Sequence, residues 1–189
     1  MRVRHLLLMI VLTAIALTAP LTAQQTAQQT APLRSPDVIF VPTPPEVVEA
    51  MLKLANVSAK DVVYDLGCGD GIIVTTAAQK YGARAVGIDI DPQRVKESTD
   101  RITKAGVTDK VKILNQDLFT TDISEASVVT LYLLPSLNQK LIPKLNSELK
   151  PGTRIVSQSF DMGEDYPAEK TADVNGRSVY MWTIPMKHR

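Results

Sequence analysis

Three glycines and two aspartates carry the clearest chemical signal in this chain. Gly67, Gly69 and Gly71 alternate with other residues directly after a short apolar segment. A strand leading into such a loop lets the backbone approach a ligand closely, and the amides of a following helix favour an anion or a carboxylate. Asp65 lies just before the loop, and Asp89 follows it by about 20 residues, the offset at which a carboxylate accepts ribose hydroxyls. The pattern predicts a ligand site where two neighbouring strands end.

The residues beside the loop separate this site from two familiar alternatives. A nicotinamide or flavin fingerprint, G-x-G-x-x-G, requires a third glycine at the position of Ile72, and a phosphate-binding P-loop would continue into Gly-Lys-Ser or Gly-Lys-Thr. Neither pattern is present. A carboxylate at Asp65 would repel a phosphate but attract a ligand carrying an ammonium group or a sulfonium. We therefore expect a ribose-containing ligand with positive charge.

Few other residues could do chemistry. The sequence contains a single cysteine, Cys68, and two histidines, so an internal disulfide, a cysteine-rich zinc site and a histidine dyad are excluded. Cys68 has no His or Lys near it in sequence, and we interpret it as a small residue that fits the turn. No metal is implied. The net charge of +1 gives no electrostatic footprint for nucleic acid, so we expect none as partner.

Strands and helices alternate along the chain from Pro42 onward. The apolar pattern predicts a first helix from about Pro45 and then five strands, at 61–66, 84–89, 110–114, 126–133 and from 154. Helices are predicted at 72–81, 92–105 and 136–149. Such alternation predicts a parallel, doubly wound sheet. Asn175-Gly176 lies between two extended runs and predicts a final hairpin. We therefore expect an α/β fold with a Rossmann-like, mostly parallel sheet that ends in an antiparallel hairpin.

These motifs resemble those of the class I S-adenosylmethionine-dependent methyltransferases. Asp65–Gly71 is similar to the first motif of that family, and Val86–Asp89 is similar to the second. The resemblance implies a seven-stranded sheet and S-adenosylmethionine as cofactor. Asp117, after the third strand, matches the position of an acidic residue near the adenine amino group, although a solvated loop carboxylate is an alternative interpretation.

Two further segments resemble a subgroup, the small archaeal and mitochondrial-type protein lysine methyltransferases. These segments are Phe40–Pro44 and Val129–Pro135. In that subgroup the Pro-Thr-Pro segment folds over the cofactor, which implies a cofactor contact for Thr43. Tyr132 occupies the place where the acceptor pocket forms, and its ring suits a cationic substrate. Its neighbours Leu131, Leu133 and Leu134 are expected in the core.

The resemblance implies methylation of a protein lysine. A non-catalytic cofactor-binding domain and a methyltransferase for a small molecule remain alternatives. The sequence names no general base.

The first residues resemble a secretory leader rather than part of the fold. Arg2 and Arg4 precede an apolar stretch that continues to Leu17, and small residues follow at Ala19 and Ala23. We predict a signal peptide or N-terminal anchor at 1–23, a disordered linker at 24–36 and a methyltransferase domain at 37–189. The expected location is exported, periplasmic or membrane-anchored, and the expected state is a monomer.

Overall fold

The computed structural model describes residues 33–189, so the predicted leader and most of the predicted linker lie outside the described residues. Four helices accompany seven strands within this part of the chain. The helices are α1 (Pro45–Leu54), α2 (Ile72–Tyr81), α3 (Pro92–Lys104) and α4 (Pro135–Glu148). The strands are β1 (Val62–Leu66), β2 (Arg84–Asp89), β3 (Val111–Asn115), β4 (Val128–Leu131), β5 (Arg154–Gln158), β6 (Lys170–Val174) and β7 (Arg177–Thr183). Among residues 33–189, no helix is both long and apolar enough to cross a membrane.

All seven strands form one sheet in the order β3-β2-β1-β4-β5-β7-β6. The first five pair in parallel, while β7 runs antiparallel to both β5 and β6. Asn175 and Gly176 both have positive φ, 53° and 79°, as a tight turn between β6 and β7 requires. The predicted fold class is therefore confirmed, including its hairpin. The order reverses between β1 and β4, and open α/β sheets bind ligands beside such a point.

Two hydrophobic cores cover the two faces of the sheet. On one face, apolar residues of α1 and α2 pack against alternate strand positions such as Val63, Val128 and Val156. On the other face, α4 packs through Leu141 and Leu145 onto a layer that includes the fully buried Trp182. Because side chains alternate along each strand, every strand residue belongs to one face of the sheet, and this alternation determines the face that carries the polar residues of the site.

A polar network closes the amino-terminal edge of the sheet, opposite the glycine loop. The Asp61 carboxylate accepts hydrogen bonds from the Ser127 hydroxyl and the Ser58 amide, both at 2.8 Å, and it forms an ion pair with Arg154. Arg154 also donates to the carbonyl of Ala55 at 2.8 Å, tying α1 to the sheet. Because Asp61 is 7% exposed, its charge depends on these partners.

The fourth strand is shorter than the predicted 126–133. It ends at Leu131 because Pro135 opens α4 and holds Leu134 in an extended conformation, with φ −64° and ψ 153°. Tyr132 therefore lies in the connection that leaves the sheet rather than within the strand. Residues 159–169 connect β5 to β6 without a helix.

Candidate functional site

A cleft opens at the carboxyl ends of the central parallel strands. One wall is the glycine loop between β1 and α2, and the other is the segment of residues 33–43 before α1, here called the N-terminal strap. Of the eight residues predicted for the site, seven line this cleft: Thr43, Asp65, Gly67, Gly69, Asp89, Asp117 and Tyr132. Gly71 lies behind the loop. The structure thus brings the predicted set together, while the role of each residue stays a prediction.

The glycine loop is held in place by backbone hydrogen bonds and by close packing against α3. The amides of Gly67 and Cys68 both donate to the carbonyl of Ile88, at 2.8 and 2.9 Å, which fixes the loop to the end of β2. Gly71 precedes α2 with φ 76°, and a Cβ atom there would lie 2.8 Å from Cβ of Ser98 in α3. A glycine is therefore required at this position by both backbone conformation and packing.

Asp65 places a carboxylate at the bottom of the cleft, where it is only 3% exposed. The Thr130 hydroxyl donates to it at 2.8 Å from the neighbouring strand β4. Burial raises the pKa of Asp65 to about 7, and the nearby charges of Asp89 and Asp70 also raise it. A cation reaching this carboxylate from the cleft would remove the penalty, because an opposite charge favours the ionised form.

Asp89 occupies the end of β2 beside the same loop. Its carboxylate accepts from the amide of Gly69 at 2.8 Å and from the amide of Asp91 at 2.9 Å. Burial raises its pKa, although the two amides oppose the change. The side chain lines the cleft, and the ribose contact that the spacing predicts stays a prediction.

Asp117 has a partner that sequence reasoning missed. Arg34 in the N-terminal strap donates to both of its carboxylate oxygens, at 2.6 and 3.2 Å, and also pairs with Asp37 at 2.5 Å. Arg34 holds the pKa of Asp117 below its ordinary value. The two charged partners are 83 positions apart in the chain, so no local pattern could indicate the pair.

A second contact holds the strap at its other end. The Phe40 ring packs directly against Gly69, where it fills the space of a Cβ atom. The guanidinium of Arg94, from the first turns of α3, stacks over that ring at 4.7 Å from its centroid. The resemblance had included Phe40 in a motif but gave it no role, and it gave no sign of Arg94. The strap is therefore held over the cleft by the ion pair of Arg34 with Asp117 and by two cation–π contacts, those of Phe40 with Arg94 and of Arg34 with Phe119.

Tyr132, which lines the cleft, belongs to an aromatic pair. Tyr132 follows β4, and its ring stacks against Phe160, which follows β5, with centroids 6.4 Å apart. Leu133 is buried, and its side chain lies 3.0 Å from the position that a Cβ of Gly67 would occupy. Leu131 is also in the core, as expected, whereas Leu134 is 46% exposed and is not. Sequence reasoning missed Phe160 because its pairing with Tyr132 depends on strand order.

Cys68 is a packing residue, as predicted. Its side chain is buried, and its sulfur lies 2.8 Å from the position that a Cβ of Gly87 would occupy on β2. Burial raises the pKa of the thiol, so it stays protonated at neutral pH. It therefore is not an activated nucleophile.

The cleft fits S-adenosylmethionine on two observations. The buried carboxylate of Asp65 has only the Thr130 hydroxyl as a side-chain hydrogen-bond partner in the described structure, which leaves capacity for an ammonium group. Asp89 lies at the position where a ribose would follow a ligand seated on the glycine loop. A sheet of this order with this loop defines a class I S-adenosylmethionine-dependent methyltransferase.

Comparison with known proteins narrows this class. Residues 65–169 match the family model described as the ANTKMT methyltransferase domain. A protein-lysine N-methyltransferase of Saccharolobus islandicus is 48% identical over 153 residues, covering 79% of this chain and 95% of that protein. A mouse lysine N-methyltransferase, named for an ATP synthase subunit, is 31% identical over 75% of this chain, and the match spans 56% of that protein.

A solved structure is also similar over most of the described fold. It is a Salinibacter ruber protein described as an RNA methyltransferase in complex with S-adenosyl-L-homocysteine. The two chains are 55% identical with a TM-score of 0.76, covering 79% of this chain and 97% of the other. The chain therefore belongs to the ANTKMT methyltransferase family and is an S-adenosylmethionine-dependent enzyme.

Proposed function

We propose that this enzyme transfers a methyl group from S-adenosylmethionine to the side-chain amine of lysine in a protein. Two relatives described as lysine N-methyltransferases support this acceptor, while the Salinibacter relative is described as an enzyme for RNA. The charge beside the acceptor side of the cleft distinguishes the two classes of substrate, because lysine side chains are cationic and RNA is anionic.

The observation that favours lysine is an acidic segment next to the aromatic pair. Residues 159–169 follow β5 directly and include Phe160, and they contain four acidic residues and no Lys or Arg. All four are exposed: Asp161, Glu164, Asp165 and Glu169. Asp161 and Glu164 line one surface groove, in which Arg189 is the one basic side chain among the residues described. Such a rim attracts a basic protein and repels a phosphate backbone.

Each predicted site residue then has a definite task. S-adenosylmethionine, when bound, supplies a methyl group on a positively charged sulfur. Asp65 pairs with the ammonium group of its methionine part, and Asp89 accepts the ribose hydroxyls. Asp117 reaches the adenine amino group once Arg34 releases it, and Thr43 contacts the cofactor from the strap.

The acceptor side needs alignment and removal of water more than a dedicated base. Tyr132 and Phe160 provide apolar walls for the methylene chain of lysine and an aromatic face for its ammonium group. In such a pocket, beside a sulfonium, the pKa of the lysine falls, and water takes its proton. The neutral amine then lies in line with the methyl group, and this positioning supplies most of the rate enhancement.

Transfer of a labelled methyl group tests the acceptor directly. The chain is incubated with tritiated S-adenosylmethionine and either core histones or total RNA, and the labelled product is hydrolysed. We expect Nε-methyllysine from the histones and no labelled nucleoside. Label in RNA alone would refute the lysine proposal and would favour the activity described for the Salinibacter relative.

A charge-reversal variant tests the role of the rim. Glu164→Lys/Asp165→Lys is expected to lower kcat/KM for histones about tenfold at low ionic strength and to weaken the salt dependence. The matched control is Asp109→Lys/Glu125→Lys, which makes the same charge change at the opposite edge of the sheet. Equal loss in both variants would mean that overall charge, rather than the rim, attracts the substrate.

We further propose that residues 1–23 direct the domain to the membrane or across it. The support is the order of Arg2 and Arg4, an apolar stretch and then small residues. Cell fractionation combined with N-terminal sequencing tests this. Full-length chain found only in the cytosolic fraction would refute it.

A further inference from the structure

Gln158, the last residue of β5, is the least satisfied polar side chain among the described residues. It is fully buried, and neither its amide nitrogen nor its amide oxygen has a hydrogen-bond partner. Asn138 in α4 is equally buried and its amide oxygen is also unpaired, but its nitrogen donates to Ser157 at 3.2 Å and to the carbonyl of Phe160 at 3.1 Å. An unpaired buried amide is costly, and folded proteins retain few of them. The described residues therefore leave the side-chain amide of Gln158 without a hydrogen-bond partner, which a bound molecule could supply.

The register of the sheet places Gln158 on the same face as Asp65 and Thr130. Asp65, Thr130 and Val156 are direct partners across β1, β4 and β5, and Val156 packs in the core beneath α1 and α2. Gln158 lies two residues beyond Val156 within β5 and so keeps this face. Strand β1 ends at Leu66 and β4 at Leu131, so Gly67 and Tyr132, which line the cleft, follow those strands rather than continue them. Gln158 itself is fully buried and is not among the residues that line the cleft, but it lies on the strand next to β4, about 5 Å away, and two residues before Phe160.

The backbone immediately after Gln158 is strained and returns towards Tyr132. Ser159 has φ 63°, in the left-handed region that a non-glycine residue seldom adopts, and the amide of Phe160 donates to the carbonyl of Gln158 at 2.7 Å. This turn directs Phe160 back to stack on Tyr132. Such strain concentrates at functional sites. The unpaired amide and the strained turn thus directly precede Phe160, the partner of Tyr132.

We propose, on the basis of the proposed methyl transfer, that Gln158 contacts the acceptor and orients its nitrogen through the side-chain carbonyl oxygen. An amine entering along Tyr132 and Phe160 donates one N–H to this oxygen, and its lone pair is left to face the methyl group. A neutral amide suits this task better than a carboxylate, because a negative charge would hold the lysine in its protonated form. The amide nitrogen remains available for a backbone carbonyl of the acceptor protein.

Replacement by methionine separates this role from a structural one. Gln158→Met keeps the length of the side chain but removes both polar atoms. We expect kcat with core histones to fall at least tenfold, while the affinity for S-adenosylhomocysteine stays within twofold and Tm is unchanged or higher. Thr75→Val is the matched control, because the Thr75 hydroxyl is also buried and unpaired but lies in α2, beside a different groove. This variant is expected to keep the wild-type kcat.

The pH dependence of the reaction gives a second readout that a structural role would not move. In Gln158→Glu the new carboxylate would stabilise the ammonium form of the acceptor, so the pH of half-maximal rate is expected to rise by about one unit. A wild-type kcat in Gln158→Met, or an unchanged pH profile in Gln158→Glu, would overturn the proposal and leave Gln158 as a residue that binds internal water.

The outcome is distinguishable from failure of the lysine proposal. If the wild-type protein labels RNA instead of histones, the proposed acceptor class is wrong. Gln158→Met is then compared with the wild type on RNA. A loss of rate in the variant supports the contact of Gln158 with the acceptor, and equal rates refute it. A wild-type protein that labels neither substrate overturns both proposals.

Discussion

The buried carboxylate of Asp65 makes cofactor binding dependent on pH in a way that can be calculated. Its pKa in the free protein is about 7, because burial raises the pKa more than the hydrogen bond from Thr130 lowers it. If binding requires the ionised form, the affinity follows the ionised fraction of Asp65 below that pKa. That fraction falls roughly fivefold from pH 7 to pH 6 and roughly fiftyfold from pH 7 to pH 5. The ligand's own ammonium group remains protonated throughout this range.

Titration calorimetry with S-adenosylhomocysteine between pH 5 and pH 7 measures this effect. At pH 7, buffers of different ionisation enthalpy should reveal release of about half a proton on binding. Asp65→Asn should bind weakly and without pH dependence, whereas Asp89→Asn should bind weakly but keep the dependence of the wild type. An affinity that is constant from pH 5 to pH 7 would refute the assignment of Asp65 to the ligand's ammonium group.

The same carboxylate should lower the stability of the free protein as the pH rises. Because its pKa is raised in the folded state, ionisation disfavours folding, and the loss develops as the pH rises from about 4 to about 7. The difference between about 7 and the ordinary 3.8 corresponds to about 4 kcal/mol. Asp65→Asn should therefore raise the free energy of unfolding at pH 8 by up to that amount and leave it unchanged at pH 4. Urea denaturation at both pH values checks this.

Three further substitutions test other parts of the structure. Gly71→Ala should lower Tm by several degrees more than Gly106→Ala, since both glycines have positive φ but only the first lacks space for a Cβ atom; thermal denaturation compares them. Arg154→Met should lower the free energy of unfolding by about 3 kcal/mol in denaturant titrations, with cofactor affinity retained, because it leaves the charge of Asp61 buried without its ion-pair partner. Arg34→Ala removes the partly exposed ion pair that holds the N-terminal strap, and stopped-flow measurements should show dissociation of S-adenosylhomocysteine about threefold faster. Identical rates for Arg34→Ala and wild type would mean that the strap does not limit release.

Local patterns in the sequence were enough to predict the strands, the helices and the cofactor side of the cleft. The glycine loop, Asp65 and Asp89 lie within one strand-helix-strand unit, so their spacing along the chain determines their spacing in the structure. The hairpin at Asn175-Gly176 is similarly local.

The contacts that sequence reasoning missed all join distant segments. Arg34 meets Asp117, and Phe40 meets Gly69, because the strap crosses several strand ends. Such pairings depend on strand order and on the path of the strap, neither of which has a periodic signal. The boundary predicted between linker and domain at residue 37 stays a prediction, although Arg34 already contacts the domain.

The distribution of charge around the cleft explains how one site could handle two cations. Asp65 offers a single negative charge at the inner end, enough to balance an ammonium group that does not react. If the acceptor is lysine, as proposed, the exposed acidic segment at 159–169 attracts its side chain while it is still protonated and in water. Tyr132, Phe160 and Gln158, the residues proposed to meet the acceptor, are apolar or neutral. A lysine that moves inward therefore leaves the charges that stabilise its proton and approaches a sulfonium that opposes it, so the pocket favours the neutral amine at the point where methyl transfer requires it.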